Sequence, residues 1–127
     1  MPRVRIESVK SIEHSAAKKI MNSVMDAIVE TLKLVPDDRS VSFISYEPEL
    51  FTLKPPYLLF VEIALFSGRS KAIKKSLYQN ILQRLHIQCG IDKQTVMIML
   101  NEQPKENWGL RGGISGDEID FDYQVEI

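Results

Sequence analysis

The sequence predicts an α+β fold: two consecutive βαβ units forming a four-stranded sheet with two helices on one face, plus a C-terminal tail strand. Three observations lead there. Four short segments read as strands, namely Arg3 to Val9, Val41 to Glu47, Tyr57 to Phe66 and Thr95 to Leu100. Between the first and second, and again between the third and fourth, apolar residues recur at spacings of three and four, as on one face of a helix. Each such interval is long enough for the crossover that two parallel strands require.

In the first strand Arg3, Arg5 and Glu7 alternate with Val4 and Ile6, and Pro2 shares the parity of the apolar pair. Ser11 is the expected N-cap of a helix whose stripe is Ile12, Ala16, Ile20, Val24, Ala27 and Ile28. Pro36 disfavours helical geometry at Val35, so this helix should stop near "LVPDD". After the second strand, "PELFTLKPP" reads as a loop. The third strand leads into "SGRS", where Ser70 is the expected cap of a helix carrying Ile73, Leu77, Ile81 and Leu85, with Gly90 at its end. Phe121 to Val125 alternates and reads as the tail strand. Tyr57 to Phe66 and Val96 to Leu100 are apolar at nearly every position, as in strands buried on both faces. Two helices cover only one face, so another copy of the chain is expected to cover the other.

Composition narrows the class. At 127 residues, 44% hydrophobic and 26% charged, the chain is expected to form a single domain over 1–127. A formal net charge of −1 offers no basic excess, so no nucleic-acid partner is expected. The run "YLLFVEIALF" contains Glu62 and is too short to span a bilayer, and no leader or lipid-anchor motif is read at either end, so no membrane partner is expected. The lone Cys89 fits a reducing cytoplasm.

Most familiar chemistry-bearing patterns are missing. Gly109, Gly112, Gly113 and Gly116 fit no nucleotide-binding spacing. His14 and His86 lack partners at ligand spacing, so no metal site is expected, and both read as solvated helix residues. The acidic tail residues Asp117, Glu118, Asp120, Asp122 and Glu126 read as a solvated strand face or a rim between subunits.

Pro2 is different in kind. If Met1 is removed, Pro2 carries a free secondary amine, and burial beside apolar groups lowers the pKa of such an amine toward neutrality. A neutral amine near pH 7 is a competent general base. The "MP" start, the two βαβ units, "VPDD" after the first helix, "GRS" before the second and "NWGLRGG" in the tail together resemble the tautomerase superfamily, nearest its long single-chain members related to malonate semialdehyde decarboxylase and phenylpyruvate tautomerase.

That resemblance implies a homotrimer, with sheets lining a central barrel, and catalysis by the amino-terminal proline, here Pro2. It implies that Arg69 holds a substrate carboxylate and that Trp108, with Leu110 beside it, walls the pocket. The related decarboxylases have a second arginine where this chain has Ser67, and in the ungapped frame their aspartate falls at Arg39, with Asp37 and Asp38 just short of it, so decarboxylation is not expected. An arginine at Arg39 is more similar to tautomerases that use a neighbouring subunit's arginine to polarise a carbonyl. The expected activity is interconversion of keto and enol forms of a small 2-oxo acid, with no cofactor. Two alternatives stand beside it: a ferredoxin-like module that binds small molecules without catalysis, and an inactive tautomerase relative.

Overall fold

The computed structural model describes residues 2–121 and 123–127. Met1, on whose removal the reading of Pro2 depends, and Asp122 of the acidic tail lie outside the described residues. The main elements are β1 (Arg3–Ser8), α1 (His14–Leu32), β2 (Val41–Ser45), β3 (Leu59–Phe66), α2 (Lys71–Cys89) and β4 (Val96–Gln103).

The sheet order is β2-β1-β3-β4, with β1 parallel to β2, β3 parallel to β4, and the two units joined antiparallel at β1 and β3. Each βαβ unit therefore places its two strands side by side. A ferredoxin-like fold instead splits each unit with a strand between the two, so the topology removes that alternative.

Register fixes which side of the sheet is the core. Val4 lies opposite Ile63 and Val41, and Ile6 opposite Val61 and Phe43. Val4, Ile6, Val61 and Ile63 are fully buried in one cluster with Val24 and Ile28 of α1 and Leu77 and Ile81 of α2. Both helices thus lie on one face. The other face carries Arg3, Arg5 and Glu7 beside Phe60, Glu62, Met97 and Met99. Phe60 and Glu62 are half-buried there, Met99 is 44% exposed, and Arg5 pairs with Glu62 at 2.7 Å.

Helix ends follow local chemistry. Ser70 accepts a hydrogen bond from the Ile73 amide at 3.2 Å, and Gly90 closes α2 at φ 67°. At α1 the expectation is corrected: Ser11 lies outside the helix, and Glu13 precedes it with no side-chain cap. The stop comes before Pro36, at Lys33 in the left-handed conformation.

Among the described residues the expected tail strand is not formed. Those of 119–127 carry no strand, and the backbone turns instead to the start of α2, where the Ser70 amide donates to the Ile127 carbonyl at 2.8 Å. Val125 is buried and Ile119, Phe121 and Tyr123 half-buried, while Asp120, Gln124 and Glu126 are exposed. The alternation is therefore that of a segment with one side buried against the protein and, among the described residues, no partner strand.

Candidate active site

β1 enters the sheet with Arg3 opposite Ala64, so Pro2 stands at the end where β3 finishes in Leu65 and Phe66. The same end receives the turn before β2, because the Val4 amide donates to the Ser40 carbonyl at 2.8 Å. It also starts the turn into α2, which carries Ser67, Gly68 and Arg69. Pro2 is buried on the parity of Val4 and Ile6, as expected. Its ring consequently belongs to the core side.

Arg69 is only 6% exposed. Its Nη1 donates to the Phe66 carbonyl at 3.1 Å, while Nε has no hydrogen-bond partner among the described residues. None of the ion pairs among those residues includes it. Burial pulls its pKa below the usual value, against the smaller opposing effects of Tyr123 and Glu102. A buried guanidinium with an unused donor is costly, and an anionic ligand would relieve that cost.

Aromatic rings connect Arg69 to the tail. The Trp108 ring meets Phe66 edge-on at 5.2 Å, Phe66 meets Phe121 at 5.0 Å, and Phe121 meets Tyr123 at 5.6 Å. Tyr123 in turn lies 5.9 Å from the Arg69 guanidinium carbon. Trp108 Nε1 is a second buried donor with no partner among the described residues. Two N–H groups without a partner among the described residues thus flank Phe66.

Beside this cluster is an open cavity of about 410 Å³ lined by Val35, Asp37, Asp38, Leu110, Arg111, Ile119, Asp120, Phe121 and Tyr123. Of the residues picked out in the sequence, only Leu110 lines the cavity; Arg69 lies behind Tyr123 and Trp108 behind Phe66 and Phe121, and Pro2 shares its end of the sheet, none of the three lining it. Arg39 is held apart: its guanidinium is tied at the surface to Asp26 at 2.6 Å and to the Pro36 carbonyl at 2.8 Å. Carboxylates face the cavity from Asp37, Asp38 and Asp120, and Asp38 stands one residue before the position given by the ungapped frame.

Sequence reasoning set Asp38 just short of the expected aspartate position and missed Phe121 and Tyr123 as site residues. Burial pushes the Tyr123 phenol up to about 12, with the Asp38 charge adding to the rise and Arg69 opposing it. The hydroxyl is therefore within the field of both charged groups.

Residues 38–111, more than half of the chain, match a family model described as tautomerase enzyme. The chain belongs to the tautomerase family. It is 26% identical over 121 residues to the probable tautomerase YusQ of Bacillus subtilis (strain 168), covering 89% of this chain and 95% of that protein. It is 35% identical over 60 residues to 2-hydroxymuconate tautomerase of Pseudomonas putida, which takes in 47% of this chain and 94% of that protein. This tautomerase is thus matched, over about half its length, to nearly the whole of a shorter one.

The fold has close counterparts among solved structures. Malonate semialdehyde decarboxylase superposes with a TM-score of 0.79 at 18% identity, covering 87% of this chain and 92% of that one. Native fused 4-OT gives 0.81 at 14% identity, covering 92% and 98%. A wild-type fused 4-OT described as a symmetric trimer gives 0.79 at 18%, covering 90% and 95%. At these identities the likeness is one of fold. Family membership makes the chain an isomerase-type enzyme, and among its described residues no helix is long and apolar enough to cross a membrane.

Proposed function

We propose that this tautomerase interconverts keto and enol forms of a small 2-oxo acid without a cofactor, using Pro2, freed by loss of Met1, as general base. The observation that carries the reading is Arg69: a buried guanidinium outside the ion pairs of the described residues, with an unused donor, at the sheet end where Pro2 is also buried. Arg69 holds the carboxylate with charge-assisted hydrogen bonds. The buried Pro2 amine, kept neutral near pH 7, takes the C3 proton and returns it to the oxygen. Trp108 and Leu110 keep water from the reacting atoms, and Arg39 faces outward, where only a neighbouring subunit's site could use it.

The whole chain acts in this reading as one domain, assembled as a homotrimer in the cytoplasm. Support for the assembly comes from the uncovered sheet face, where Met99 and Ile44 are exposed beside Phe60 and Met97. The test is an enol–keto assay with phenylpyruvate. Pro2→Ala, which keeps an amine but changes its basicity and rigidity, should slow turnover while leaving the fold intact; equal rates would remove Pro2 from the chemistry.

A second reading is favoured by Asp38. The absence of a site aspartate was one ground for not expecting decarboxylation, and Asp38 on the cavity wall takes that ground away. Release of carbon dioxide from a 3-oxo acid, lost in Asp38→Asn, would support this reading over keto–enol exchange.

A further inference from the structure

We propose that Tyr123 is a further catalytic residue of this site: its phenolic hydroxyl donates a hydrogen bond to the substrate oxygen that gains negative charge as the enol forms. The inference rests on the 2-oxo acid reading above and supplies the group that meets the reacting oxygen.

Position is the first support. Tyr123 lines the cavity together with Asp38, Leu110 and Phe121, and its ring lies 5.9 Å from the Arg69 guanidinium carbon. In a 2-oxo acid the ketone carbon is bonded directly to the carboxylate carbon. A carboxylate held at Arg69 therefore brings the ketone oxygen beside a group that covers Arg69.

Rigidity is the second. The segment that carries Tyr123 is tied down by the Ile127 carbonyl, which accepts from the Ser70 amide at 2.8 Å, and by buried Val125 seated against Gly68. The Phe121 ring supports it at 5.6 Å. A donor held in place loses little orientational freedom when it engages the transition state.

Protonation is the third. With its pKa raised to about 12, the phenol is a neutral donor at pH 7. In the reaction the Pro2 nitrogen takes the C3 proton, the C–H electron pair becomes the C2–C3 double bond, and the former carbonyl pair moves onto oxygen. The proton on the amine then passes to that oxygen, and Tyr123 keeps its own proton throughout.

The experiment compares the processed wild-type chain with Tyr123→Phe, which retains the ring over Arg69 and removes only the hydroxyl. With phenylpyruvate, kcat should fall on the order of 10- to 100-fold while KM changes less than about threefold. Binding is read in parallel with oxalate, whose second carboxylate stands in for the enolate oxygen, and with acetate, which lacks one. The variant should lose about tenfold or more for oxalate and little for acetate. Unchanged oxalate affinity, an equal loss for both anions, or an unchanged kcat would overturn the role of the hydroxyl. A wild-type chain that does not turn over 2-oxo acids would instead overturn the general reading, and the oxalate–acetate comparison would still decide the role of Tyr123.

Discussion

Gly68 and Val125 are in such close contact that a methyl group added at Gly68 would stand 2.9 Å from Val125 Cγ1. Gly68 also has φ 138°, a conformation that L side chains rarely adopt. The seat of the tail beside Arg69 therefore depends on a residue without a side chain. Gly68→Ala should destabilise the protein by roughly 1–3 kcal/mol and loosen residues 123–127. A thermal melt with limited proteolysis checks this; an unchanged Tm together with an equally resistant tail would show that the contact yields cheaply.

Arg69 and Arg111 both lie at this end of the molecule, but only Arg69 is buried. Arg69→Ala should weaken binding of a 2-oxo acid by on the order of 10- to 100-fold, the worth of a hydrogen bond to a charged group. Arg111→Ala should change it far less. A binding titration in which both variants lose equally would move the carboxylate site away from Arg69.

Tyr123 should also leave a mark at alkaline pH. Its folded-state pKa of about 12 lies above the ordinary 10.0, so the unfolded chain gives up the proton first. Stability is unaffected by this group below about pH 10 and falls as pH rises from there toward 12. Denaturant titrations of wild type and Tyr123→Phe across that range should show a steeper loss for wild type. Parallel curves would mean that the phenol is as easily ionised folded as unfolded.

Met99 is 44% exposed on the open face, with Glu62 as its cross-strand neighbour. Met99→Lys gives the new charge a partner within its own chain but puts it where another subunit would pack. Sedimentation equilibrium should find wild type as a trimer at micromolar concentration and the variant dissociated. A monomeric wild type would end the shared-barrel assembly.

How much of this was legible in the sequence depends on the range of the interactions involved. The four strands, Ser70 and Gly90 could be read because apolar patterning along a strand and helix caps are local features. Phe121 to Val125 misled for a related reason: alternation reports that one side of an extended segment is buried, while the partner of that segment is set elsewhere in the chain. Tyr123 was hidden with it, since its place over Arg69 arises only when the tail meets the start of α2. Arg39 and Asp38 differ by one residue, and only the turn that follows Pro36 decides which of them faces the cavity. Two features of Arg69 could not be read at all, its burial and the lack of a partner for its Nε among the described residues. Both depend on how the turn from Phe66 folds back and on Tyr123, which is close to Arg69 only in space.

The central claim is that the amino group of Pro2 is the base. It is tested most directly by comparing phenylpyruvate enolisation by two forms of one protein, the chain that begins at Pro2 and the chain that retains Met1, each verified by intact mass. In the first the nitrogen is an amine with a lone pair, and in the second an amide that accepts no proton near neutral pH. The predicted result is turnover by the Pro2 form alone, with both forms sharing the same oligomeric state and melting transition. Equal turnover by the two forms would contradict the claim and leave Pro2 as the residue that begins a strand.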